Sequence, residues 1–87
     1  METLPSILTE DGVLVDEGDF VYNYYDMWPG TIVAGTKTLN GQRDNEPLNR
    51  NQHIWFDLRA DDGRVAMLNG QRICSIAFAK RRGFKGV

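Results

Sequence analysis

Gln52-His53-Ile54-Trp55-Phe56-Asp57-Leu58-Arg59, followed by Ala60-Asp61-Asp62-Gly63, decides the fold class of this chain. Ile54, Phe56 and Leu58 alternate with His53, Trp55, Asp57 and Arg59, so one face is apolar and the other mostly polar. That is the period-two pattern of a half-buried β-strand. Asp61-Asp62-Gly63 supplies a turn, and Arg64 to Leu68 reads as the strand that returns. Asn69-Gly70 then offers two residues that tolerate positive φ, which predicts a type I′ turn with Gln71 to Ala77 coming back antiparallel.

The upstream half has the same character. Gly12-Val13-Leu14-Val15 is a short apolar run closed by Asp16-Glu17-Gly18-Asp19, a turn. Phe20-Val21-Tyr22-Asn23-Tyr24-Tyr25 is rich in aromatic and β-branched residues and predicts a strand. Trp28-Pro29-Gly30 interrupts it, and Thr31-Ile32-Val33-Ala34 is the next strand. No segment sustains a 3.6-residue period, so the chain reads as all-β, without a helix. Between the halves lies Thr36 to Asn51, a stretch with few apolar residues. Long excursions of this kind in small domains tend to be functional or mobile. It contains Leu39-Asn40-Gly41-Gln42-Arg43, and the same five residues recur as Leu68-Asn69-Gly70-Gln71-Arg72. The flanks differ, so the repeat reads as two similar Asn-Gly turns rather than a duplicated domain. A hairpin tip at the first copy would make residues 36–51 partly an extended ribbon.

The chain has 87 residues and a mass of 9.9 kDa, enough for one modest core. At 41% hydrophobic and 25% charged residues, its composition excludes a wholly disordered chain, a collagen-like fibre and a coiled coil. No apolar run approaches the roughly 18 residues that span a bilayer. Met1-Glu2-Thr3-Leu4-Pro5 lacks a basic n-region and apolar h-region. Cys74, the single cysteine, has no partner for an internal disulfide, and a reducing cytoplasm is the expected setting. The net charge of −2 conceals an asymmetry: residues 1–36 carry seven acids and no Lys or Arg, and all ten basic residues follow. The two halves are expected to neutralise each other across strand pairs, or else to present faces of opposite sign.

Short strands, tight turns and one long loop or hairpin predict a small, strongly bent antiparallel barrel of about five strands. Gly18-Asp19-Phe20-Val21, followed after six residues by Trp28-Pro29-Gly30-Thr31-Ile32-Val33, resembles the opening hairpin of SH3-like barrels of the Tudor and agenet kind. Those modules often begin Gly-Asp-x-Val, place an aromatic near the hairpin turn, and continue Gly-x-Ile-Val. The resemblance implies an SH3-like barrel used for binding rather than catalysis. A single barrel domain is expected over residues 1–79, with 80–87 a basic C-terminal tail.

Catalytic chemistry finds few candidates. His53 is the only histidine, Cys74 the only cysteine, and Ser6 and Ser75 the only serines. A His53–Cys74 pair requires their strands to be neighbours. Asp61-Asp62 and Asp16-Glu17 are paired acids beside glycines, suited to a divalent cation but equally to local turn hydrogen bonds. The reading is therefore a non-enzymatic module with no metal site and no cofactor. Its binding face is expected to comprise Tyr22, Tyr24, Tyr25, Trp28 and Trp55, which suits a protein or peptide partner. The same rings serve equally well as core filler. The alternative partner is nucleic acid, held by Lys80, Arg81, Arg82 and Lys85 with Phe84 available to stack on a base. A third reading is a small ligand-binding protein or enzyme with its site at an oligomer interface. Monomer and small homo-oligomer both fit, and no membrane role is expected.

Overall fold

A computed structural model of the chain describes residues 3–87, which leaves Met1 and Glu2, part of the N-terminal stretch read above, outside the described residues. Strand β6 (Ile54–Arg59) organises the sheet. Its alternation is the one read from the sequence: Ile54, Phe56 and Leu58 are fully buried, while Trp55 and Asp57 are half-buried and Arg59 exposed. Along one side β6 pairs antiparallel with β7 (Val65–Asn69), from Trp55 opposite Asn69 to Arg59 opposite Val65. Along the other side it pairs with two short strands in turn. Strand β4 (Trp28–Ile32) meets its C-terminal half, Ile32 opposite Leu58, and β5 (Thr38–Leu39) meets its N-terminal half, Thr38 opposite Trp55. The register slips by three residues between those pairs, so β4 and β5 are halves of one strand interrupted by a bulge. Gly35 adopts φ +79 there, and the Asp57 N–H, lacking a ladder partner, donates to Thr36 Oγ1 at 3.1 Å.

Strand β3 (Phe20–Asn23) continues the sheet beyond β4, and β8 (Ile73–Cys74) pairs on its far side, Tyr22 opposite Cys74. The last strand thus returns beside β3 in an all-antiparallel sheet that is not closed, because β7 and β8 share no ladder. A separate hairpin, β1 (Ile7–Leu8) with β2 (Leu14–Val15), lies at the start of the chain. It drives Ile7 and Val15 into the core of Val21, Trp28, Ile32, Ile54, Phe56, Leu58 and Ile73. Burying each such large side chain contributes about 1.5–3 kcal/mol. The hairpin is tied down by the Asn51 side-chain amide donating to the Leu8 carbonyl at 3.0 Å and by Glu10 N–H donating to the Ile73 carbonyl at 3.0 Å. Lys37 adds a clamp: its buried ammonium reaches Asp16 at 2.8 Å and the Leu4 carbonyl at 2.9 Å.

Several expectations need correction. Asn69-Gly70 makes no type I′ hairpin. Asn69 stays extended at φ −115 and caps a 3₁₀ turn over Gly70–Arg72, accepting the Gln71 N–H on its side-chain oxygen. Asn serves caps as well as hairpins, so the dipeptide alone does not choose between them. Glycine is needed at position 70 for close approach instead: a Cβ there would sit 2.0 Å from the Leu8 carbonyl oxygen. Gln71 to Ala77 consequently does not return along β7; only Ile73 and Cys74 are strand, and they pair with β3.

A helix is also present. Helix α1 (Ile76–Arg82) starts at Ser75, whose hydroxyl accepts the Phe78 N–H at 3.1 Å, and stops at Gly83 in the left-handed region. It spans about two turns, too short to establish a period in the sequence. It is also far too short to cross a membrane, as is every helix among the described residues. The division at residue 80 falls inside this helix, so the basic end of the chain is folded structure. The long segment from Thr36 to Asn51 is ribbon only at β5; the rest is irregular, with turns at Arg43–Glu46 and at Asn49–Gln52. Finally, Lys37–Asp16 is the one ion pair joining the acidic and basic halves among the described residues, whereas Arg64–Asp62 is local.

Candidate functional site

The five aromatic candidates do not share a face. Tyr22 points outward from β3, but α1 covers it: the ring is fully buried, stacks on Phe84 at 5.5 Å, and its hydroxyl donates to the Lys85 carbonyl at 2.6 Å. Trp28 lies in the core with the Arg64 guanidinium 5.2 Å above its ring. Tyr24 is half-buried and donates its hydroxyl to the Gln71 carbonyl. Tyr25 is exposed, with Arg72 stacked 4.0 Å from its ring centre. That leaves Trp55, half-buried on the outer face of β6, at the floor of a cleft.

The cleft holds about 360 Å³ and its walls come from both copies of the five-residue repeat. Trp55 stands between Thr38 of β5 and Asn69 of β7, and the chain leaves each of those strands at an Asn-Gly. Asn40, Gly41 and Arg43 of the first copy line one side, Asn69 and Gln71 of the second line the other. The first copy is held by Asn40 N–H donating to the His53 carbonyl at 2.9 Å, after which Gly41 turns at φ +82. In the second, the Asn69 amide donates to the Gln52 carbonyl at 3.1 Å. The sequence showed the repeat; that its two copies converge on one tryptophan depends on the pairing of β5 and β7 with β6.

Glu46, Gln52 and His53 complete the rim. Glu46 accepts the Arg43 N–H at 2.9 Å, closing a tight turn. His53 is buried, and its Nδ1 accepts the Asn49 N–H at 2.9 Å, so the ring proton of the neutral imidazole resides on Nε2. That nitrogen faces Glu46 Oε1 at 3.8 Å. The Nδ1 hydrogen bond is thus the one by which the imidazole holds the loop among the described residues. The side chains of Asn40, Arg43, Gln52 and Gln71 make no hydrogen bond within the chain among the described residues, and none of their polar atoms is buried without a partner. They present free donors and acceptors around an aromatic floor.

The other candidates are dispersed. His53 and Cys74 are not brought together, because β4 and β3 separate β6 from β8. Burial, followed by the Asp11 charge, pushes the Cys74 thiol up to about 11. Asp62 spends its carboxylate on Arg64, at 2.7 Å to Nε and 3.0 Å to the backbone N–H. Asp16 is held below the ordinary carboxylate range, first by the hydrogen bond from Lys37 and then by the Glu17 N–H. Lys80, Arg81 and Arg82 are exposed on α1, with Arg82 5.1 Å from the Phe78 ring. Lys85 is exposed too, whereas Phe84 is half-buried, packed against Tyr22 and Phe78. Comparison with protein families, curated proteins and solved structures finds no match to this chain.

Proposed function

We propose that the chain is an SH3-like binding module that receives an extended protein segment in the cleft at Trp55. The barrel reading draws support from the strand order: neighbours in sequence pair antiparallel, one strand bends at a bulge, and the last strand returns beside β3. The observation that carries the binding reading is the half-buried Trp55 ringed by the unpaired carboxamides of Asn40, Gln52 and Gln71. Each carboxamide offers a donor and an acceptor, matching the N–H and C=O of a peptide backbone. Trp55 supplies a rigid apolar platform for a proline or aliphatic side chain between them. Arg43 and Glu46 place one charge of each sign on the rim, a basis for reading a charged residue beside the anchor.

Selection from a random peptide library tests this reading. Peptides enriched on the wild-type protein should lose binding to a Trp55→Ala variant that melts near the wild-type temperature. A Trp28→Phe background leaves Trp55 as the only indole, and its emission should shift on adding a selected peptide. Equal binding to Trp55→Ala would overturn the assignment. Nucleic acid is the second reading, favoured by the three consecutive exposed cations of α1.

A further inference from the structure

Residues paired across strands share a face, so Phe20, Thr31, Arg59 and Val65 form one row across β3, β4, β6 and β7 on the outside of the sheet. Asp57 and Met67 form the next row. The chain covers part of this outer face itself, where α1 seals Tyr22 and Cys74. The rest stays open and holds large apolar groups: Phe20 is 50% exposed, Val65 56% and Met67 62%. A polar outer face would be the norm for a sheet with one solvated side. Val65 and Met67, two residues apart on β7, make an exposed apolar pair beside Arg59 and Asp57, and exposed apolar surface of this kind marks interaction.

Its charges indicate the occupant. Asp57 and Arg59 point to this face from the central strand, and neither belongs to an ion pair among the described residues. They lie two residues apart, about 6.6 Å along the strand. A two-fold axis in the plane of the face, perpendicular to β6 at Leu58, would set Asp57 of each copy against Arg59 of the other. The same operation sets Val65 of each copy on Met67 of the other, because those residues stand directly beside Arg59 and Asp57 on β7. The patch is its own complement in charge and in apolar content, as an isologous interface requires. We propose that two copies of this chain associate through this face, β6 against β6, with two reciprocal Asp57–Arg59 ion pairs flanked by two Val65–Met67 contacts. Trp55 lies about 13 Å along the strand from Arg59, beyond the centre of the contact.

Charge reversal and charge exchange test this by sedimentation velocity across a concentration series. Wild type should move from the 9.9 kDa monomer towards twice that mass as concentration approaches about 1 mM, because a patch of this size supports a weak complex. Asp57→Arg and Arg59→Asp alone each bring like charges together and should weaken association about tenfold or more. The double variant Asp57→Arg/Arg59→Asp exchanges the signs and should restore it. All three variants change only side chains on the outer face of β6, and circular dichroism verifies that they fold. Concentration-dependent amide shifts in unmodified protein, confined to the Phe20–Val65 and Asp57–Met67 rows, provide evidence that needs no variant. A wild type that remains monomeric at about 1 mM overturns the proposal. So does a double variant no stronger than the singles, or a single variant that associates like wild type. Shifts confined to the Ala66 and Leu68 backbone would place the contact at the β7 edge and overturn it as well.

Discussion

The carbonyl oxygen of Leu8 occupies the space a Cβ on Gly70 would need, 2.0 Å from its ideal position. The N-terminal hairpin is thereby seated directly on the 3₁₀ turn that borders the Trp55 cleft. Asn51 approaches the same point to 3.1 Å, so the two segments close on one glycine.

Gly70→Ala should accordingly destabilise the protein by about 1–3 kcal/mol or more, the usual range for forcing atoms into a packed site. Gly63→Ala is the control: its φ is +95 and the space around it is open, so only backbone strain of about 1–2 kcal/mol applies. Urea denaturation compares them. Equal stability of Gly70→Ala and wild type would show that Leu8 can yield.

Replacing the two tryptophans separates core from surface. Trp28→Ala removes a 7%-exposed ring and should cost about 3–5 kcal/mol, enough to threaten folding in a domain this small. Trp55→Ala should leave the melting temperature within a few degrees of wild type, roughly 1 kcal/mol or less. Thermal melts followed by circular dichroism decide this.

Acid should loosen the N-terminal hairpin and α1 together. Asp16 and Asp11 both lie below their ordinary value of 3.8 in the folded chain. For Asp11, burial pushes upward, but hydrogen bonds from Ser75 and Thr9 outweigh it. A depressed folded pKa contributes stability that is present above the unfolded value and lost as pH falls through the folded one. Stability should therefore decline below about pH 4, and less steeply in Asp11→Asn and Asp16→Asn. A denaturation midpoint flat between pH 5 and pH 2 would contradict both assignments.

Cys74 should be inert in the folded protein. With the thiol raised to about 11 and the residue buried, almost no thiolate exists at pH 8. Disulfide-exchange labelling should proceed only as fast as the protein opens, and urea should accelerate it steeply. Rapid labelling in native buffer would mean that α1 detaches readily.

The basic end can be dissected by comparing a deletion with a charge variant. Deleting residues 80–87 removes Phe84 from Tyr22 and should cost about 3–5 kcal/mol, as for truncating a packed phenylalanine. Lys80→Gln/Arg81→Gln/Lys85→Gln should leave stability unchanged. If wild type binds an oligonucleotide, the triple variant should lower the slope of log K against log salt by about 3. Salt-independent binding would exclude phosphate contacts by these residues.

The core was legible wherever burial follows from the strand alternation alone. Ile54, Phe56 and Leu58 are inward for the reason their spacing states. Which rings stay open was less legible, because exposure of a ring depends on what later segments cover. Tyr22 occupies an outward register position, and residues more than fifty positions downstream bury it. Ser75 and Gly83 were the available signs of α1, a cap and a stop around too few residues to display a period. Trp55 was read as outward-facing and lies where that reading puts it. Its surroundings come from two turns that resemble each other in sequence and meet only because β6 pairs on both sides.

Asn40 N–H bonded to the His53 carbonyl fastens the long loop at its neck, one residue beyond β5 and one before β6. Beyond that bond the loop carries Gly41, Arg43 and Glu46 to the Trp55 cleft. Doubling the length of such a loop costs only about 0.6 kcal/mol in closure entropy. Residues 41–46 therefore have latitude to vary in length and content, while Leu48, which packs on the core, keeps the interior unchanged. The neck makes the rim of the cleft an interchangeable part.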